Sequence, residues 1–357
     1  MRALRYHGAE DLRVEHDVPE PKCGEDQIKV KPAFVGICGT DLHEYYTPTF
    51  IPSKEAPHPV TGESMPVVIG HEFSGTVIKI GSKVTNKNVK VGDKVAVQPT
   101  VACFECGACQ DGFINCCDKA GFVGLSGGGG GLSDAVCVGG DFVFKLPDHI
   151  DLDVGALVEP LAVAWHAVDA SQVAEGDDAL VLGAGPIGLG VIQCLKARGA
   201  RYIIVAEVAK ERQNFAKHFG ATHIFDPRHE DVVAKAKELT GGRGPQIALD
   251  CAGVAASIKT ACLAVRAQGR VVNVAIWEKE VPFHPNNLVF GEKKYSAVLG
   301  YQKKDYQAVI EALGKNTMKP EAMITSRIAI DRVVEDGFMP LINQKEKHVK
   351  ILVDLSK

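Results

Sequence analysis

The sequence predicts an α/β protein of two domains, a β-rich unit followed by a doubly wound parallel sheet, on three observations. Up to about residue 155 the chain breaks into short apolar strands punctuated by Gly, Pro and Asp. From about Ala156 buried strands alternate with helix-length stretches, the rhythm of a parallel sheet. At 357 residues the chain is also long for a single core.

Composition narrows the class. An apolar content of 46% with 24% charged residues is that of an ordinary globular protein. A formal charge of −4 with no Lys/Arg cluster argues against a nucleic-acid footprint, so a small-molecule partner is expected. Met1-Arg2-Ala3-Leu4-Arg5 leads into polar residues and not into an apolar export signal. The uncharged run Ala179–Leu195 is interrupted by Gly183, Gly185, Pro186, Gly188 and Gly190, so a strand-turn-helix is expected there and no membrane span. A cytoplasmic location is therefore expected. In a reducing compartment eleven cysteines, an odd number, are read as metal ligands before disulfides.

In the first domain strands are expected at Ala3–Tyr6, Gln27–Val35, Glu72–Ile80 and Val89–Val97, set off by turns such as Val91-Gly92-Asp93. Such strands suggest a small, partly barrelled β domain. After the second comes Gly36-Ile37-Cys38-Gly39-Thr40-Asp41-Leu42-His43, which packs a thiol, a hydroxyl and an imidazole into six residues. Tyr45–Pro66, rich in Pro, Thr and Ser, reads as a surface loop beside the active site, with disorder the alternative. Cys103, Cys106 and Cys109 at two x2 spacings, then Cys117, place four thiolates within reach of one ion, as structural zinc prefers. Cys116 is a possible substitute for Cys117, but the spacing favours Cys117. A nucleic-acid zinc ribbon is the competing reading, weakened because only Lys119 follows closely. Gly127–Gly131 is a flexible linker by composition, whereas its place before a strand at Ala135–Val138 favours a tight loop inside the domain.

In the second domain Asp177–Leu182 is a short buried strand, followed by Gly183-Ala184-Gly185-Pro186-Ile187-Gly188 and a helix to Arg198. The strand Tyr202–Ala206 ends in Glu207. The alternation continues through His223–Phe225, Gln246–Asp250 and Arg270–Ala275, with a sixth strand near Ala297–Leu299. The chain then returns to the first domain and ends in a strand at His348–Asp354.

A G-x-G-x-x-G alone is a weak signal, but here it follows a strand, opens a helix and has an acid at the end of the next strand, which points to dinucleotide binding. Gly183 allows the sharp turn, Gly185 lets the backbone approach a pyrophosphate, and Gly188 lets helix and strand pack closely. The helix N-terminus, with Pro186 and Ile187 in its first turn, then carries the phosphates. Glu207 is expected to hold the adenosine ribose hydroxyls and to repel a 2′-phosphate, so NAD is preferred to NADP. Arg212 either lies against the adenine or is a solvated helix residue.

Thiolate, imidazole and carboxylate are the ligands that leave zinc one open position. Cys38 and His71 are the firm ligands of such a site. Glu72 and Glu159 compete for the next place, the latter because an acid inside Gly155-Ala156-Leu157-Val158-Glu159-Pro160-Leu161 is unlike a solvated one. Zinc there polarises a carbonyl oxygen, the electrophile a hydride transfer needs. Thr40 is placed to take an alcohol proton and pass it, by way of the cofactor ribose, to a solvent-facing His43.

With these residues assembled, the chain resembles the zinc-dependent medium-chain alcohol and polyol dehydrogenases (medium-chain dehydrogenase/reductase type) along essentially its whole length. Gly36–His43, Gly70-His71-Glu72-Phe73-Ser74-Gly75, the four-cysteine lobe, Glu159-Pro160 and the glycine turn carry the resemblance. It is most similar to the butanediol dehydrogenase branch, through Asp41-Leu42-His43-Glu44-Tyr45, Gly124-Leu125-Ser126, Ile276-Trp277-Glu278-Lys279, His284-Pro285-Asn286 and Leu299-Gly300-Tyr301. The resemblance implies a GroES-like catalytic domain over 1–155 and 298–357, a Rossmann NAD-binding domain over 156–297, and a cleft between them. It implies a catalytic zinc on Cys38, His71 and Glu159, with Glu72 exchanging onto it or replacing Glu159, beside one structural zinc on the four cysteines. It implies an alcohol, diol or ketone substrate and a homodimer or homotetramer. A sorbitol- or xylitol-type polyol dehydrogenase is the alternative within the class, and a non-catalytic nucleotide-binding protein the alternative outside it.

Overall fold

A computed structural model describes residues 1–277 and 279–357, so Glu278 of the Ile276–Lys279 motif lies outside the described residues. The chain divides into two units, Met1–Glu159 with Gln302–Gly314 and Ile324–Lys357, and Pro160–Tyr301 with Lys315–Met323.

The first unit is built on a seven-stranded sheet. Val143–Lys145, Lys94–Val97, Glu72–Ile80, Gln27–Gly36, Lys350–Asp354 and Ile324–Ala329 lie side by side in that order, and Val136–Gly139 pairs with the start of Gln27–Gly36. A smaller sheet joins Asp11–Glu15, Ala3–Gly8 and Val67–Val68. Alternate side chains such as Ile28, Val30, Val35, Val77, Val95, Val97, Ile351 and Val353 meet in one apolar core. The strand Gln27–Gly36 pairs antiparallel with both Glu72–Ile80 and Lys350–Asp354, placing Gly36 opposite Glu72 on one side and Leu352 on the other. Three distant stretches of chain thus end at one edge of the sheet, beside Cys38.

In the second unit six parallel strands run in the order His223–Phe225, Tyr202–Ala206, Asp178–Leu182, Ile247–Asp250, Arg270–Asn273 and Lys294–Ala297. This is the 3-2-1-4-5-6 order of a doubly wound sheet. Strand order reverses at Asp178–Leu182, the strand that leads into the glycine turn.

Some boundaries depart from the sequence reading. The strand expected over Val89–Val97 begins at Lys94, because the Asp93 carboxylate accepts the Lys90 N–H at 2.7 Å and Gly92 turns at φ 92°. The sixth parallel strand is Lys294–Ala297 and not Ala297–Leu299. All four of its residues are exposed, so no apolar alternation marks it. Gly39–Tyr46 is a helix that strand-based reading missed, and only the rest of the Tyr45–Pro66 segment is irregular. The glycine run lies in a loop inside the first unit. Gly124, Gly127, Gly128 and Gly129 have positive φ there, and a Cβ on Gly131 would fall 2.7 Å from the Phe73 ring. No described helix is long and apolar enough to cross a membrane.

Candidate metal centres and nucleotide turn

Cys38 is the N-cap of the helix Gly39–Tyr46, and Asp41 closes that cap by accepting the Cys38 N–H through Oδ2 at 2.8 Å. The other Asp41 oxygen lies 3.3 Å from His71 Nδ1, close enough for charge coupling but not aligned as a hydrogen bond. With Nδ1 turned to a carboxylate, Nε2 is the ring atom left for a cation. Burial pulls the His71 pKa down, but the charges of Asp41 and Cys38 outweigh it and hold the imidazole well above its ordinary value. Burial, then the charge of Glu72, pushes the Cys38 thiol up.

Cys38, His71 and Glu72 present one ligand atom each, all within 4.8 Å of one another. Gly36 makes room for this: a Cβ there would come within 2.2 Å of Glu72 Oε2. Buried Lys350 donates to both Glu72 oxygens, at 2.7 and 2.6 Å, and to the carbonyl of Ile37 at 3.3 Å. Burial lowers the Lys350 pKa, yet Glu72, Cys38 and Glu159 more than offset it. Glu159 is not one of the three clustered groups; it is buried in the first turn of the helix Val158–Ala170. The donor set of thiol, imidazole and carboxylate, with an unaligned buried Nδ1–carboxylate contact behind it, fits a zinc ion.

Thr40 and His43 share the helix with Cys38. The Cys38 thiol donates to Thr40 Oγ1 at 3.7 Å, and the His43 side chain is 41% exposed. Next to His43, buried Glu44 accepts from the N–H groups of Thr49, Phe50 and Ile51 and from the Thr49 hydroxyl, so one carboxylate shapes the loop beyond the helix.

The second cluster gathers Cys103, Cys106, Cys109 and Cys117. Zinc–sulfur bonds of about 2.3 Å in a tetrahedron put sulfurs about 3.8 Å apart. The Cys103–Cys117 and Cys106–Cys117 separations are 3.5 and 3.9 Å. Backbone N–H groups of Glu105 and Cys106 draw the Cys103 thiol down to about 6, while burial pushes Cys109 up to about 12. These thiols fit a structural zinc. Cys116 is exposed and outside the cluster.

In the second unit Gly183 turns at φ 90°, and a Cβ on Gly188 would fall 2.0 Å from the Gly183 oxygen. Gly185 differs: the nearest atom to a Cβ there is a guanidinium nitrogen of Arg212 at 3.8 Å. No packing within the chain demands a glycine here, and the turn is open to a group placed against it. Pro186 is the first residue of the helix Pro186–Ala197, with Ile187 next. Glu207, buried, accepts the Ala184 N–H through Oε2 at 2.7 Å and the Ala209 N–H through Oε1 at 2.8 Å. One lone pair or more on each oxygen remains for a vicinal diol.

Residues 24–148 match the alcohol dehydrogenase GroES-like domain, and residues 186–315 match the zinc-binding dehydrogenase domain. The chain is 42% identical over 354 residues, 99% of each chain, to (R,R)-butanediol dehydrogenase of Bacillus subtilis. The chain belongs to the zinc-binding alcohol dehydrogenases. The (R,R)-butanediol dehydrogenase of Neisseria gonorrhoeae is 38% identical over 99% of each chain. The crystal structure of 2R,3R-butanediol dehydrogenase from Bacillus subtilis matches with a TM-score of 0.92 and 42% identity, covering 99% of each chain.

The roles of Asp41 and Glu44, and Lys350 altogether, escaped the sequence reading of this dehydrogenase. Asp41 carried a usable signal, an acid three residues after a capping residue. Lys350 carried none, being 278 residues from the acid it holds.

Proposed function

We propose that this dehydrogenase interconverts a secondary alcohol or vicinal diol and its ketone with NAD, (R,R)-2,3-butanediol and acetoin being the leading pair. The Cys38–His71–Glu72 constellation carries the reading, supported by 42% identity along 99% of a butanediol dehydrogenase. Cys38, His71 and Glu159 would hold the catalytic zinc, with Glu72, already engaged by Lys350, exchanging onto it. Cys103, Cys106, Cys109 and Cys117 would hold the structural one. When bound, the catalytic ion supplies Lewis acidity at the substrate oxygen. Thr40 Oγ1 accepts the hydroxyl proton as it releases its own, and the partly exposed His43 imidazole delivers one proton to solvent. Gly183, Gly185 and Gly188 with the helix start at Pro186 and Ile187 cradle the cofactor pyrophosphate, Glu207 takes the ribose diol and Arg212 lies against the adenine.

The proposed domains are 1–155 with 298–357 for catalysis and 156–297 for NAD; the two compact units have nearly these bounds, except that 156–159 belongs to the first and 298–301 with 315–323 to the second. The exposed edge strand Lys294–Ala297, flanked by exposed Val289, Phe290 and Leu299, supports a homodimer or homotetramer. Eleven cysteines, none of them in a disulfide among the described residues, suit the cytoplasm.

Initial rates with NAD on (R,R)-butanediol, acetoin with NADH, sorbitol and xylitol test the reading. A hexitol preference moves it to the polyol dehydrogenases. NADH binding without alcohol turnover moves it to a non-catalytic nucleotide protein, and full activity in verified zinc-free protein overturns it.

A further inference from the structure

The glycine turn and Glu207 account for a pyrophosphate and a ribose, but they leave an arginine beside them unused. The strand His223–Phe225 ends against Glu207, whose N–H donates to the Phe225 carbonyl at 3.1 Å. Three residues on, Arg228 reaches back and donates through Nη2 to the Val208 carbonyl at 2.7 Å, the peptide next to Glu207. Asp226 fixes that guanidinium in a two-pronged pair, Nε to Oδ1 at 3.0 Å and Nη2 to Oδ2 at 2.6 Å. The Arg228 side chain is nevertheless 58% exposed. Arg212 approaches the same turn from the helix Lys210–Phe219, its guanidinium 3.8 Å from where a Gly185 Cβ would stand. The acid expected to face the ribose therefore sits among two arginines and a second acid.

We propose that Arg228 is a second determinant of nucleotide choice: it receives a 2′-phosphate once the Glu207 charge is removed, and in the native chain it limits how strongly Glu207 rejects one. This rests on the nucleotide site described above. The chemistry is specific. A ribose diol donates to Glu207, whereas a 2′-phosphate brings a dianion that needs donors and positive charge. A planar guanidinium already held in place offers both, in a fork matched to phosphate oxygens. Asp226 competes for that fork, so the native balance still favours NAD. Because Arg228 is solvent-accessible, its contribution is moderate and not absolute.

Calorimetric titration of the zinc-loaded protein at low ionic strength with 5′-AMP and with 2′,5′-ADP reads the choice without turnover. Glu207→Gln is expected to tighten 2′,5′-ADP by about tenfold, and Arg228→Gln in that background to reverse at least about fivefold of the gain, with 5′-AMP changing less than about twofold in the second step. In the native background, where the Glu207 turn is undisturbed, Arg228→Gln alone should weaken 2′,5′-ADP further and spare 5′-AMP. Arg228→Lys should keep part of the effect, since it retains the charge and loses the fork. Equal 2′,5′-ADP binding with and without Arg228 in both backgrounds overturns the proposal while 5′-AMP binding persists. Loss of 5′-AMP binding by the native chain itself overturns the nucleotide site, and this inference with it.

Discussion

Replacing Lys350 by methionine removes the only cation bonded to Glu72 among the described residues and leaves that carboxylate buried beside the Cys38 thiol. The Lys350 and Glu72 side chains are 3% and 1% exposed, so water does not take over the missing partner's role. Breaking a buried pair from one side costs about 3–5 kcal/mol, because the remaining charge keeps its desolvation penalty and loses its attraction. The unit carrying the pair has about 200 residues, and for that size each kcal/mol lowers the melting temperature by about 2–4 °C. The expected loss is then about 6–20 °C. Calorimetric melts of chelated and zinc-loaded protein check it. The chelated form should show the full loss, and the loaded form a smaller one, because a cation held by Cys38 and His71 also compensates Glu72. Lys350→Met/Glu72→Gln should recover at least half of the loss, since no unpaired charge then remains. Two results refute the reasoning: a chelated Lys350→Met protein melting within about 2 °C of the native chain, or a double variant no more stable than the single one.

Other consequences follow from single contacts. Cys103→Ser should lower the zinc count by one per chain and lower the melting temperature, with the second zinc retained; loss of both metals would contradict two independent centres. Gly185→Ala should fold like the native chain, its Cβ having 3.8 Å of clearance, yet bind NADH about tenfold more weakly, whereas Gly188→Ala should lose stability as well because its Cβ meets a carbonyl at 2.0 Å. NADH fluorescence titration beside melting curves separates the two. The buried Tyr6 hydroxyl has no hydrogen-bond partner among the described residues, so Tyr6→Phe should stabilise by about 1 kcal/mol near neutral pH. Burial, with the nearby charge of Glu44, pushes the Tyr6 pKa up to about 12 from an ordinary 10.0. A raised pKa favours the neutral phenol in the folded state, so this part of the stability is whole below pH 10 and disappears as pH rises from about 10 to about 12. Alkaline denaturation should therefore be shallower in Tyr6→Phe, and identical curves would count against it.

What the sequence determines by itself is whatever local spacing encodes. Cys103, Cys106, Cys109 and Cys117 lie within fifteen residues, so their meeting within 4.8 Å of one another needs only a short loop. Gly183–Gly188 and Glu207 are legible because a strand, a turn and the next strand are adjacent in both chain and sheet. The parallel-strand rhythm is legible for the same reason, and it weakened at the exposed edge strand Lys294–Ala297, where burial imposes no pattern. Tertiary structure alone decides which carboxylates converge on Cys38. Glu72 arrives because its strand pairs with Gln27–Gly36, and Lys350 arrives on the other flank of that same strand, from the far end of the chain. Pairing between distant strands leaves no trace in local periodicity. The charge that holds Glu72 therefore became visible only when the sheet was assembled.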